Sequence, residues 1–166
     1  MAPTSCLAKV LPCRCLRVAL IAPQGISRHT PFVSAVKTIL IADDDESDVF
    51  FLKRALAKTG AYNLQVVSDG RQAIEYLAGE GAFADRQRFP QPSCVIVDLK
   101  LPEKDGLEIL EWMKSSANCS KIPALVCSGC EHAAQIDRAR QLGAFSFLPK
   151  PPDQRTVTRL MASLRA

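Results

Sequence analysis

The chain has 166 residues, 48% of them apolar, which suffices for about one domain with a buried core. Its longest apolar runs, such as 18–22, fall far short of the roughly 20 residues that a membrane-spanning helix needs, so we expect a soluble protein. Of the 21 basic residues four lie in 1–36, which has no acid, so 17 basic residues balance 17 acidic ones in 37–166. This even balance argues against direct nucleic-acid binding by the folded part.

Residues 1–36 differ in composition from the remainder of the chain, with several prolines and no clear periodicity. A secretory signal fits poorly, because Arg14 and Arg17 interrupt the candidate apolar core. An organelle transit peptide fits better, and a disordered extension or a start codon assigned too far upstream also explains the segment. We favour a disordered extension over 1–36 and a folded domain over 37–166.

The chain has seven cysteines, and Cys94 and Cys127 lie inside apolar runs. Buried free thiols are typical of a reducing compartment, so we expect a cytoplasmic protein. Cys127 and Cys130 have C-x-x-C spacing, but a second pair at ligand spacing is missing from the sequence. One core cysteine and one loop cysteine is the favoured interpretation.

From Thr38 onward, short apolar β-branched runs alternate with segments of helical spacing, which predicts βαβ units and a parallel sheet. The first strand is predicted at 38–42, and Ser47 can cap a helix that stops before Gly60. A second strand at 64–68 leads into a second helix over 69–79.

A polar stretch over 81–92 is longer than the roughly two to six residues usual between such elements, so it predicts an ordered excursion. The third strand, 94–98, is apolar at four consecutive positions, which indicates a central strand covered on both faces. The remaining elements are predicted to be a helix capped by Asp105, a strand at 124–127, a helix at 133–142, a strand at 144–148 and a last helix at 154–164.

Carboxylates follow two of these strands. Asp43, Asp44 and Asp45 come after the first strand, and Asp98 ends the third. If the two strands flank the point where strand order reverses, Asp43, Asp44 and Asp98 share one crevice. Their mutual repulsion calls for a cation, and hard oxygen ligands in a small site favour Mg²⁺.

Ser128 follows the fourth strand and Lys150 follows the fifth, which adds a hydroxyl and an ammonium to the same edge. Together these groups predict a phosphoryl pocket in which Asp98 attacks a phosphorus in line, while Lys150 and Mg²⁺ neutralise oxygen charge and Ser128 binds the transferred group. Each residue alone has a simple structural explanation. The signal is their order, each at the end of a successive apolar strand.

At these positions the sequence resembles the receiver (CheY-like) domain of two-component response regulators, over roughly residues 37–166. The matching segments are ILIADDD at 39–45, VIVDLKLP at 95–102 with Asp105–Gly106, PALVCS at 123–128 and GAFSFLPKP at 143–151. The resemblance implies a flavodoxin-like α/β fold: a doubly wound, five-stranded parallel sheet of order 2-1-3-4-5 with helices on both faces.

The resemblance also implies that a histidine kinase or phosphotransfer protein phosphorylates Asp98, with no other enzymatic turnover. Asp43 and Asp44 would hold Mg²⁺ together with Asp98 and the backbone carbonyl of Lys100, whose side chain could also reach the pocket mouth. Ser128 and Lys150 would contact the phosphoryl group, and the Lys150–Pro151 peptide is expected to be cis.

Phe147 matches the aromatic switch position of the family. Its ring is expected to turn inward when Ser128 moves toward the phosphate, although phenylalanine lacks the hydroxyl that many relatives have there. The output surface would be the face formed by the fourth helix, fifth strand and fifth helix, through which a homodimer could also form.

A narrower likeness concerns the segment 69–79 with Phe83, Asp85–Arg86 and Pro90. It looks like the single-domain receivers with an extended segment before the third strand that serve phytochrome-type histidine kinases. No effector sequence follows the last predicted helix, so output is expected through protein contacts or by passing the phosphate onward.

Two alternatives stay open. Asp43 and Asp45 also satisfy the Asp-x-Asp signature of haloacid-dehalogenase-type phosphatases, with Asp43 as nucleophile and Asp45 as general acid, although no acidic pair follows the fourth strand. A receiver fold used as a binding module, without phosphorylation, is the other.

Overall fold

The computed structural model describes residues 36–129 and 133–164, in which strands and helices alternate. The strands are β1 (Lys37–Ala42), β2 (Tyr62–Val67), β3 (Cys94–Val97), β4 (Ala124–Ser128) and β5 (Ser146–Pro149). The helices are α1 (Glu46–Ala57), α2 (Gly70–Ala78), α3 (Gly106–Ser115), α4 (Ala133–Gln141) and α5 (Gln154–Ser163). The predicted extension, up to residue 35, and Cys130 lie outside the described residues.

The five strands form one parallel sheet in the order β2-β1-β3-β4-β5. This confirms the predicted fold and strand order. All four residues of β3 are buried, because the strand is central and helices cover both of its faces. Within the described ranges, no helix is long and apolar enough to cross a membrane.

The sheet separates two hydrophobic cores, and alternate residues of each strand point to opposite sides. In β1, Ile39 and Ile41 pack with α1 and α5, whereas Leu40 and Ala42 pack with α2, α3 and α4. Both faces of the central strands are therefore covered by helices, and the loops at their carboxyl ends meet at one edge.

The start of α1 corrects a prediction. Asp45, and not Ser47, is the N-cap: its backbone is extended, and its carboxylate accepts hydrogen bonds from the backbone N–H groups of Ser47 (2.7 Å) and Asp48 (3.2 Å). A carboxylate also suits the positive end of the helix, so the helix begins before Ser47.

The predicted excursion before β3 is ordered, as expected. The guanidinium of Arg86 donates to the backbone carbonyls of Tyr76 (2.8 Å) and Leu77 (2.9 Å) at the end of α2, and the Tyr76 hydroxyl donates to the carbonyl of Pro90 (2.9 Å). The rings of Tyr76, Phe83 and Phe89 pack together with centroid separations of 5.1 to 6.0 Å. These contacts fasten the segment to α2.

Candidate functional site

Three carboxylates meet where β1 and β3 end. The two strands are neighbours, and Ala42 lies opposite Val97, so Asp43 and Asp98 leave the sheet side by side. One carboxylate oxygen each from Asp43, Asp44 and Asp98 lies within 4.8 Å of the others. Asp43 and Asp98 are buried and Asp44 is exposed, so the cluster opens to solvent on one side.

Lys150 enters this cluster from the end of β5, and its peptide bond to Pro151 is cis, as expected. The Lys150 Nζ lies 2.7 Å from an oxygen of Asp43, 2.8 Å from one of Asp98 and 3.0 Å from one of Asp48. Sequence reasoning missed Asp48, which lies in the first turn of α1. The signal that could have found it is a helix cap at Asp45, which makes Asp48 the third residue of α1.

The charges of this site do not balance. Burial would by itself lower the pKa of Lys150, but hydrogen bonds to the carboxylates of Asp43, Asp98 and Asp48 outweigh it and hold that pKa above its ordinary value. Burial raises the pKa of Asp43, even though Lys150 and the N–H of Asp45 donate to its carboxylate. The two directions are compatible, because one ammonium shared among three carboxylates cannot fully compensate the most buried one.

The excess negative charge and the hard oxygen donors suit a divalent cation such as Mg²⁺ or Mn²⁺. The acidic cluster of Asp43, Asp44 and Asp98 is therefore a candidate cation site.

Backbone contacts hold Asp98 in place. Its N–H donates to the carbonyl of Ala42 (2.9 Å), and its Oδ1 accepts from the N–H of Lys100 (3.2 Å). Gly106 closes the loop after β3: its N–H donates to the carbonyl of Leu99 (3.1 Å), and a Cβ at this position would lie 2.3 Å from the carbonyl oxygen of Asp98. Only glycine fits there without moving the end of β3.

Ser128 and Phe147 lie on adjacent strands beside Lys150. Ser128 ends β4, and Phe147 on β5 pairs with Val126. The three residues line a mainly apolar cleft of about 370 Å³ between β4, β5 and α4. Phe147 is half-buried, and the guanidinium of Arg140 on α4 stacks over its ring at 5.3 Å. The cleft thus extends from Lys150 in the charged pocket to the side chains of α4 and β5.

The phosphatase alternative is not favoured, because Asp45 is committed to capping α1. The backbone N–H groups of Asp48 and Ser47 donate to its carboxylate and lower the pKa of Asp45. A general acid at neutral pH needs a raised pKa, which is the opposite shift.

A family model of the response regulator receiver domain matches residues 39–162. Response regulator MprA of Mycolicibacterium vanbaalenii is 29% identical over 128 residues, which cover 77% of this chain and 48% of MprA. The chain thus spans about half the length of that relative. Response regulator Rcp1 of Synechocystis sp. is 24% identical over 131 residues, which cover 78% of this chain and 87% of Rcp1.

The solved structures that are similar to this chain include response regulators as well. The bacteriophytochrome response regulator RtBRR is 31% identical with a TM-score of 0.70, covering 78% of each chain. The phosphorylated cyanobacterial phytochrome response regulator RcpA is 27% identical with a TM-score of 0.68, covering 78% of this chain and 91% of RcpA. The Mn²⁺-bound form of Rcp1 is 25% identical with a TM-score of 0.65, covering 77% and 91%. With its fold and the family match, this chain belongs to the receiver domains of two-component response regulators, among relatives that include phytochrome response regulators.

Proposed function

We propose that this protein is a signalling receiver that accepts a phosphoryl group on Asp98 from a histidine kinase or phosphotransfer protein. The observation that carries the proposal is the position of Asp98. Its carboxylate follows the central buried strand, 2.8 Å from the Lys150 ammonium, and belongs to the cluster with Asp43 and Asp44. RtBRR is a bacteriophytochrome response regulator and RcpA a phytochrome response regulator, and their similarity to this chain supports a phytochrome-type kinase as the donor.

In the proposed step, a carboxylate oxygen of Asp98 attacks the phosphorus of a phosphohistidine. An O–P bond forms as the P–N bond breaks, and the electron pair of that bond stays on the imidazole nitrogen. Lys150, already in contact with Asp98, would bind an oxygen of the transferred group, and the hydroxyl of Ser128 would bind another. The residues of this chain orient the phosphoryl group and neutralise the charge on its oxygens.

Asp43, Asp44 and Asp98 fit a divalent cation, and we propose that Mg²⁺ is the physiological one, with the backbone carbonyl of Lys100 as a further ligand. When bound, the cation would neutralise negative charge on the phosphoryl oxygens. The Mn²⁺-bound form of the similar protein Rcp1 supports a divalent cation here.

The signal is proposed to leave through the surface of α4, β5 and α5. Phe147 and Ser128 line the same cleft, so a shift of Ser128 toward a phosphoryl group would open space for the Phe147 ring to turn inward. Phe145, the residue directly before β5, has half of its area exposed, which supports protein contacts near this surface, including a homodimer.

Three further expectations belong to the same proposal. The receiver domain extends over 37–166 with a separate extension over 1–36, the protein acts in the cytoplasm, and it does not bind nucleic acid directly. The even charge balance of 37–166 supports the last of these.

The test is incubation with acetyl phosphate and Mg²⁺, followed by intact-protein mass spectrometry. Wild type should gain one phosphate, and so should Asp137→Asn, a control for the loss of one exposed acid, whereas Asp98→Asn should gain none. Phosphate on Asp98→Asn would place the acceptor elsewhere. No mass gain on wild type, under conditions where a control receiver reacts, would favour the binding-module alternative.

A further inference from the structure

The three ion-pair partners of Lys150 are not equivalent. Within the described residues, the carboxylate cluster that could hold a cation includes Asp43 and Asp98 but not Asp48. Asp48 nevertheless lies 3.0 Å from the Lys150 Nζ, close to the 2.7 and 2.8 Å of the other two carboxylates. One partner of the ammonium thus stands outside the candidate cation site.

This difference matters once a cation occupies the cluster. An ammonium has three N–H donors, and the three carboxylates can use all of them. A divalent cation would draw on the oxygens of Asp43 and Asp98 and would repel the Lys150 ammonium at close range. Asp48 keeps its full charge for Lys150 under these conditions.

The backbone around Asp48 is well fixed. Its N–H donates to the capping carboxylate of Asp45, and the next residue, Val49, is buried in the core shared with α5. The Asp48 side chain is 28% exposed, so it stands at the rim of the pocket. Its carboxylate is therefore held on the side of Lys150 that faces α1.

We propose that Asp48 is a positioning residue that retains the Lys150 ammonium in the pocket while a divalent cation is bound, so that Lys150 is in place for the phosphoryl group. The inference rests on the proposed function of Asp98. It assigns to the first turn of α1 a part in phosphotransfer that is separate from cation binding.

A simpler explanation is that Asp48 only improves the charge of the first turn of α1, where acids are favourable. Glu46 lies in the same turn and supplies the same charge, and among the described residues it forms no ion pair with Lys150. Glu46→Gln is therefore the matched control for loss of one negative charge beside the helix terminus.

The first measurement is the rate constant of phosphorylation at saturating Mg²⁺ and saturating acetyl phosphate. Asp48→Ala should be slowed about tenfold, as expected for the loss of one charge-assisted hydrogen bond, and Asp48→Asn should be intermediate because it keeps an oxygen acceptor. Glu46→Gln should stay within about twofold of wild type.

The second measurement does not depend on phosphorylation. The ¹H–¹⁵N NMR signal of the Lys150 ammonium, identified by its loss in Lys150→Arg, is followed during titration with Mg²⁺ alone. It should persist in wild type and Glu46→Gln and disappear in Asp48→Ala.

A wild-type phosphorylation rate in Asp48→Ala, or an ammonium signal that survives Mg²⁺ in that variant, would overturn the inference. Absence of phosphate on the wild-type protein would instead count against the proposed function, so the two failures can be told apart.

Discussion

Removal of the Lys150 ammonium should destabilise the protein in the absence of divalent cations. Lys150→Met keeps most of the side-chain volume but leaves Asp43, Asp48 and Asp98 facing one another without a positive charge. Breaking a buried ion pair by removing one partner costs roughly 3–5 kcal/mol. Because Asp48 is partly exposed, we expect Lys150→Met to lower the free energy of unfolding by about 3 kcal/mol near pH 8, at the low end of that range.

The loss should depend on pH. The pKa of Asp43 is already raised by burial, so the folded state binds a proton at this carboxyl more tightly than the unfolded state does. Stability from this group is therefore lost as pH rises through its folded pKa and regained as pH falls. Without Lys150 that pKa rises further, so the variant should differ from wild type more near pH 8 than near pH 5. The raised pKa of Lys150 gives a stabilisation that is fully present below its ordinary value of 10.5 and is lost only as pH rises above that value, so it does not vary between about pH 5 and pH 8.

Urea unfolding monitored by circular dichroism, near pH 5 and near pH 8 and with and without Mg²⁺, measures the free energy of unfolding of both proteins. Lys121→Met, which removes an exposed lysine, should stay within about 0.5 kcal/mol of wild type. Saturating Mg²⁺ should stabilise Lys150→Met more than wild type, because the cation replaces the missing positive charge. A metal-free Lys150→Met protein as stable as wild type near pH 8 would refute the argument that the ammonium compensates these carboxylates.

Three further outcomes follow from the described contacts. Gly106→Ala should lose about 2 kcal/mol in urea unfolding and be phosphorylated more slowly, because the new Cβ would lie 2.3 Å from the Asp98 carbonyl oxygen; a wild-type rate would contradict this. Arg86→Ala should lose about 2–3 kcal/mol by the same assay, since two carbonyls at the end of α2 lose their donor, and a loss below about 0.5 kcal/mol would show that water replaces it. Burial raises the pKa of Cys94 and of Cys127 to about 12, so both should resist iodoacetamide near pH 8 in folded protein and react in urea, as judged by peptide mass spectrometry; equal labelling in both states would be inconsistent with their burial.

The fold was predictable because the buried strands are apolar on both faces, as the four buried residues of β3 show. The edge strand β2 was located less well. Its residues are mostly half-buried, and it begins at Tyr62, two residues before the predicted start, since Tyr62 pairs with Lys37 at the polar beginning of β1. An edge strand that is only partly covered has a weak apolar signal, so its pairing partner, which the sequence does not specify, decides where it starts.

In the site, the residues placed by strand order could be predicted, whereas the residue placed by the start of a helix could not. Asp43, Asp98 and Lys150 could be placed together from the sequence, because the carboxyl ends of neighbouring parallel strands meet at one edge. Asp48 could not, because its direction depends on where α1 begins. A cap at Ser47 would make Asp48 the first residue of the helix, whereas the observed cap at Asp45 makes it the third. At that position its N–H serves the cap while its carboxylate reaches Lys150, so the same turn of backbone that starts α1 also sets the third partner of the ammonium.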